Sequence, residues 1–112
     1  LERWLHLPEE RPALLHGDLW SGNTMPGPHN EPVIYDPAAY FGCREADLAM
    51  TQLFGGFPST FYIAYREAFP LVDGYPERVP LYNLYHVLNH ALLFGGAFLG
   101  QAMQTVHRFL KR

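Results

Sequence analysis

Seven residues dense in chain breakers, Pro26-Gly27-Pro28-His29-Asn30-Glu31-Pro32, separate Thr24-Met25 from the β-branched and aromatic run Val33-Ile34-Tyr35. Such a stretch neither continues a helix nor runs straight, so the chain must fold back as a small β-hairpin over about residues 24–35. Pro37 stops the returning strand. The fold-back brings Asp36 beside Asn23, although thirteen residues separate them in sequence.

The hairpin is preceded by His16-Gly17-Asp18-Leu19-Trp20-Ser21-Gly22-Asn23, which reads as a loop over 16–23. A carboxylate (Asp18), a carboxamide (Asn23) and a second carboxylate (Asp36) then stand at the spacing of a metal-assisted phosphoryl-transfer site. One carboxylate in such a site accepts the proton of the attacking hydroxyl, while an amide oxygen and another carboxylate hold magnesium against the nucleotide phosphates. Asp18 is the candidate base, and Asn23 and Asp36 are the candidate magnesium ligands, because oxygen donors suit that hard cation far better than zinc. An aspartate alone in a loop is most often a turn or cap residue. The three together point to chemistry. His16 resembles a ligand or a base by position, but its expected task is to hold the loop in shape through hydrogen bonds to backbone carbonyls.

Beyond the hairpin the chain reads as helical. Glu2 to Leu7 resembles a helix end closed by Pro8, and helices are expected over about 45–54, 58–69, 80–94 and 97–110. Phe61, Tyr65 and Phe69 recur every four residues and predict a core-packing face. Leu71 to Val79 reads as a loop, with Pro80 opening the longest helix, whose apolar residues on several faces predict burial on most sides. His86 and His90 have the spacing of a zinc pair, but Val87 stands where a metalloprotease places its glutamate, so they read as a polar stripe with Asn89. Cys43, the single cysteine, excludes an internal disulfide and reads as a packing residue.

The chain is 48% hydrophobic over 112 residues, enough for one compact domain spanning 1–112, mostly α with one hairpin and therefore α+β. A net charge of -3 gives no basic footprint for nucleic acid or an anionic membrane. The longest apolar run, Ala91 to Gly100, is half a bilayer span, and no charged-then-apolar signal opens the sequence, so a soluble, cytoplasmic protein is expected. Kinases clamp the nucleotide phosphates with a lysine and a Gly-rich turn in an upstream lobe. Here the only lysine is Lys111, and no such turn precedes His16. A missing N-terminal lobe is expected, with an apolar face left bare and self-association as a consequence.

HGDLWSGN, IYDPAAYFGCREADLAM, LFGGF and VPLYNLYHVLNHALLFGG together resemble the C-terminal lobe of the fructosamine kinase (ketosamine 3-kinase) family, within the aminoglycoside phosphotransferase-like kinases. The resemblance runs from Leu15 onward. It implies a protein-kinase-like fold, ATP and Mg²⁺ as cofactors, and phosphorylation of a sugar hydroxyl on a ketosamine, in the service of protein deglycation and repair. It also implies the roles position by position: Asp18 as base, Asn23 and Asp36 as magnesium ligands, and Asp47 of READLA as the residue accepting backbone N–H groups of the catalytic loop. Trp20 stands where a flat amphipathic ring stacks on the sugar or its amine. An isolated lobe is expected to be a poor enzyme. Three alternatives stay open at this point: a kinase of the same fold acting on an aminoglycoside, choline or homoserine; a truncated lobe acting only as a binding module; and a zinc or phosphohydrolase site built from His16, Asp18 and the helical histidines.

Overall fold

The structure, a computed structural model, describes residues 7–111. The helix end expected at Glu2 to Leu7 lies, but for Leu7, outside the described residues. Among these the chain forms a small α+β domain of four strands and four helices: β1 Ala13–Leu15, β2 Thr24–Pro26, β3 Pro32–Ile34, β4 Tyr40–Gly42, α1 Arg44–Thr51, α2 Ser59–Ala68, α3 Tyr75–Phe94 and α4 Ala97–Leu110. No described helix is long and apolar enough to cross a membrane.

The strands form two separate antiparallel pairs. In the hairpin, β2 pairs with β3 in the register Thr24 to Ile34 and Pro26 to Pro32, with Gly27 and Asn30 closing the turn by backbone hydrogen bonds. The second pair joins β1 to β4, Ala13 opposite Gly42 and Leu15 opposite Tyr40. It closes the segment bearing the loop and hairpin at its base, so both approaches to the site are anchored.

Behind the strands, α3 packs on both α1 and α4. Leu15, Leu48, Ala49, Met50, Val87, Ala102 and Phe109 supply the buried apolar core. The core also contains charge. Glu45 and Arg78 are buried together and joined at 2.7 Å, linking the first turn of α1 to the first turns of α3.

Several helical expectations are corrected. The first helix ends at Thr51 instead of 54, with Gln52 as its cap and a turn leading to Gly55 and Gly56, both at positive φ. No residue of α2 is buried, so the Phe61, Tyr65, Phe69 row is not a core face. Phe69 instead lies under the Arg44 guanidinium, 3.7 Å from its ring centre, and Arg44 also grips Glu10 and the carbonyl of Pro70. The long helix begins at Tyr75, five residues before Pro80, and the expected loop stops at Gly74. Gly74 turns the chain at φ 89°, and Pro76 fits the first helical turn, where a missing N–H costs nothing. Nor is α3 buried on most sides. Tyr85, Leu92, Leu93 and Phe94 are each more than two-thirds exposed.

Candidate active site

The loop between β1 and β2 is held by side chains that bind its backbone. Asp47, in the first turn of α1, accepts the N–H of His16 through Oδ2 at 2.7 Å and that of Gly17 through Oδ1 at 3.0 Å. One carboxylate thus satisfies two donors that no strand or helix serves. Gly17 sits at φ +87°, and a Cβ there would run into the carbonyl oxygen of Ala38. The position therefore requires glycine. That carbonyl belongs to a segment also tied to the loop by the Ala38 N–H, which donates to the His16 carbonyl at 2.8 Å.

His16 spends both ring nitrogens. Nδ1 accepts the Asp18 N–H at 3.2 Å, so the proton sits on Nε2, which donates to the Tyr35 carbonyl at 2.8 Å. The imidazole is a strut between the backbone of Asp18 and the residue just before Asp36. It has no lone pair left for a metal.

Asn23 closes a 3-10 turn over Ser21–Asn23 and is buried. Its Nδ2 donates to the Asp18 carbonyl at 2.8 Å and to the Asp18 carboxylate Oδ2 at 3.0 Å. One carboxylate oxygen of Asp18 is thereby fixed, and the other accepts no hydrogen bond among the described residues. With Nδ2 committed, the Oδ1 of Asn23 is the donor atom left over. Its backbone carbonyl accepts the Tyr35 N–H at 3.0 Å, so Asp36 directly follows the residue paired with Asn23. Asp36 is exposed and adopts φ 55°, a left-handed conformation that aspartate tolerates better than most residues.

Trp20 is half-buried. Its indole covers the backbone of Gly22 so closely that a Cβ there would clash with the ring, and it meets Phe54 edge-on at 5.4 Å between centres. Phe54 in turn packs on His90 at 4.9 Å. His90 also lies against Phe94 and Phe98, with Nδ1 held at 2.7 Å by the His86 carbonyl. The expectation of a polar stripe is thus corrected for His90, which is wedged among aromatic rings. The half-buried His86 ring is held below the ordinary histidine range by burial, is pulled back up by the nearby Asp18 carboxylate, and is pushed down by His90. Nothing in the sequence signalled that neighbourhood beyond the one-turn spacing of the two histidines. Cys43 is half-buried, with Sγ 3.6 Å from the Tyr82 hydroxyl.

Among the described residues no group of three His, Cys, Asp or Glu side chains converges on one point. The candidate metal donors are instead the amide oxygen of Asn23 and the carboxylate of Asp36. A groove of about 490 Å³ runs along the hairpin between Met25, Val33 and Phe61, and none of Asp18, Asn23 or Asp36 lines it.

The family model for fructosamine kinase matches residues 1–112. A probable ketoamine kinase of Vibrio parahaemolyticus is 52% identical over 105 residues, covering 94% of this chain and 35% of that protein. The chloroplastic protein-ribulosamine 3-kinase of Arabidopsis thaliana is 49% identical over 100 residues, covering 89% and 30% respectively. The crystal structure of a "putative fructosamine-3-kinase" from Thermobifida fusca superposes with a TM-score of 0.82 at 41% identity, covering 99% of this chain and 38% of that one. The chain therefore spans about a third of the length of the relatives it matches.

Proposed function

The chain belongs to the fructosamine kinase family, and on that premise we propose that it is the C-terminal, catalytic lobe of a protein-kinase-like enzyme that phosphorylates a sugar hydroxyl of a ketosamine. The observation that carries this reading is the bracing of Asp18. His16 and Asn23 bind its backbone and one carboxylate oxygen, Asp47 holds the N–H groups of the two residues before Asp18, and the same His16 ring ties it to the strand end that bears Asp36.

A rigid carboxylate with one open oxygen suits a general base. It orients the substrate hydroxyl in line with the γ-phosphate of ATP and takes its proton as the new bond to phosphorus forms. Asn23 and Asp36 are the residues that would hold Mg²⁺, and the fit is chemical: two oxygen donors, neither of them claimed by a hydrogen bond among the described residues. When bound, the ion supplies neutralisation of the phosphate charge. Because Asn23 Nδ2 also grips Asp18, the amide holds base and metal ligand in one fixed relation, and positioning of this kind carries most of the rate in phosphoryl transfer.

The indole of Trp20 is anchored by Phe54, and its Nε1 donates no hydrogen bond among the described residues. We assign it to the sugar or amine of the acceptor. Trp20→Leu should raise the KM for a ketosamine about tenfold while leaving that for ATP within twofold, since a base-side ring does not touch the nucleotide. Equal changes in both constants would count against the assignment.

The setting follows from the chemistry. A cytoplasmic kinase of this kind would act in protein repair, with a small or protein-bound ketosamine as partner. The exposed apolar side chains of Leu92, Leu93 and Phe94 at the C-terminal end of α3 support self-association of the segment when it stands alone. Sedimentation of the isolated segment should show dimers or larger species, and Leu92→Glu with Phe94→Glu should return it to monomer. A monomeric parent segment would remove the proposal.

Assay of the gene product with ATP and a fructosyl-lysine-like acceptor tests the function directly. Phosphorylation of an aminoglycoside, choline or homoserine in place of the ketosamine would overturn the substrate and keep the kinase. Binding of nucleotide without turnover on any acceptor would favour a non-catalytic module.

A further inference from the structure

His86 is the polar group near the site that the mechanism does not use. It stands on α3 one turn before His90, whose ring is fixed to the His86 carbonyl and packed on Phe54, which meets Trp20. These contacts bring that face of α3 up to the loop that carries Asp18. The His86 ring is partly withdrawn from water, with the Tyr85 ring edge-to-face against it at 5.4 Å between centres. Yet neither of its ring nitrogens makes a hydrogen bond among the described residues. His16 and His90 differ in this respect, for each has a ring nitrogen engaged. A half-buried ring with no protein partner, on the face of α3 that meets the Asp18 loop, is free to bond water or a bound molecule.

The electrostatics agree with the placement. Three influences act on the ring, namely burial, the Asp18 carboxylate and His90, and burial prevails, favouring the neutral imidazole. A neutral ring offers one lone pair. Beside a carboxylate it makes a surface that accepts a cationic N–H donor and offers no positive charge to repel it.

We propose that His86 is a specificity-determining residue on the acceptor side of the Asp18 site, its free ring nitrogen accepting a hydrogen bond from the secondary ammonium that distinguishes a ketosamine from a plain sugar. The inference rests on the ketosamine reading above and adds to it the group that recognises the amine. Asp18 then handles the hydroxyl that reacts, and His86 the nitrogen that does not.

The test is steady-state kinetics of the gene product with ATP and a fructosyl-lysine-like ketosamine, comparing wild type, His86→Leu and His86→Gln, each checked for an unchanged melting profile. His86→Leu should raise the KM for the ketosamine about tenfold, with the KM for ATP within twofold and kcat within threefold. His86→Gln keeps an acceptor oxygen and should recover the wild-type constant to within threefold. A purely structural role would not separate leucine from glutamine, nor the acceptor from the nucleotide. An active wild type whose KM for the ketosamine survives in His86→Leu, or rises equally in both variants, overturns the His86 inference alone. A wild type that turns over other acceptors but no ketosamine overturns the substrate reading and this inference together.

Discussion

Asp18→Asn should lower kcat for ketosamine phosphorylation about 10³-fold while leaving the Kd for nucleotide within about threefold. The substitution is nearly isosteric. The side-chain oxygen that receives Asn23 Nδ2 is retained, as are the backbone bonds to His16 and Asn23, so the loop should keep its shape. What disappears is the charge and the basicity of the open oxygen. An amide accepts a hydrogen bond from the substrate hydroxyl but does not take its proton, so the loss falls on turnover and not on binding. Asp36→Ala provides the contrast, because a residue assigned to the metal should weaken the magnesium-dependent binding of nucleotide, which Asp18→Asn spares. Calorimetric titration of nucleotide with and without magnesium, alongside kcat, separates the two. Retention of more than a tenth of the wild-type kcat in Asp18→Asn would remove Asp18 from the role of base.

The geometry of the candidate site was legible in the sequence where the signals are local. The breaker-rich turn from Pro26 to Pro32 announces its own hairpin, and a carboxylate placed just after a short strand is positioned by that strand whatever the rest of the chain does. The β1–β4 pair had no comparable signal. Ala13–Leu15 and Tyr40–Gly42 are three residues each, too short to show alternation, and twenty-four residues of loop and hairpin lie between them. The two prolines near the start of α3 were misleading for a physical reason. Pro76 reads as a loop residue and Pro80 as the first residue of the helix, but Pro76 lies in the opening turn where its lost donor has no partner to miss, and Pro80 lies inside the helix, carried by packing of α3 against α1 and α4. The exposed apolar residues of α3 show a different limit. Periodicity says which residues are apolar, whereas burial depends on what stands opposite, and the described residues leave most of Leu92 and Phe94 uncovered.

Glu45 and Arg78 were equally hidden. Charges thirty-three positions apart in two helices would ordinarily be assigned to solvent, yet Glu45 is 0% and Arg78 2% exposed. Arg78 donates to the Glu45 carboxylate through Nε at 2.8 Å and Nη2 at 2.7 Å, and to the carbonyls of Asp73 and Val72 that lead into α3. Tyr82 adds a hydrogen bond to Glu45 at 2.9 Å, and burial pushes its hydroxyl well above the ordinary tyrosine range. Arg78→Met would leave the carboxylate buried with Tyr82 as its remaining partner among these and would strip two carbonyls of their donor, so unfolding free energy should fall by about 3–5 kcal/mol. Glu45→Leu combined with Arg78→Met removes both charges, and should be far less damaging than the sum of the single changes because no uncompensated ion remains. The functional consequence follows from α1. Glu45 stands two residues before Asp47 on the turn that holds the His16 and Gly17 N–H groups, so loosening the pair should cost kcat as well as stability. Urea unfolding of the two single variants and the double variant, read together with kcat, measures this coupling. A loss below about 1 kcal/mol in Arg78→Met, or strict additivity in the double variant, would show that the buried pair does not fix α1 to α3.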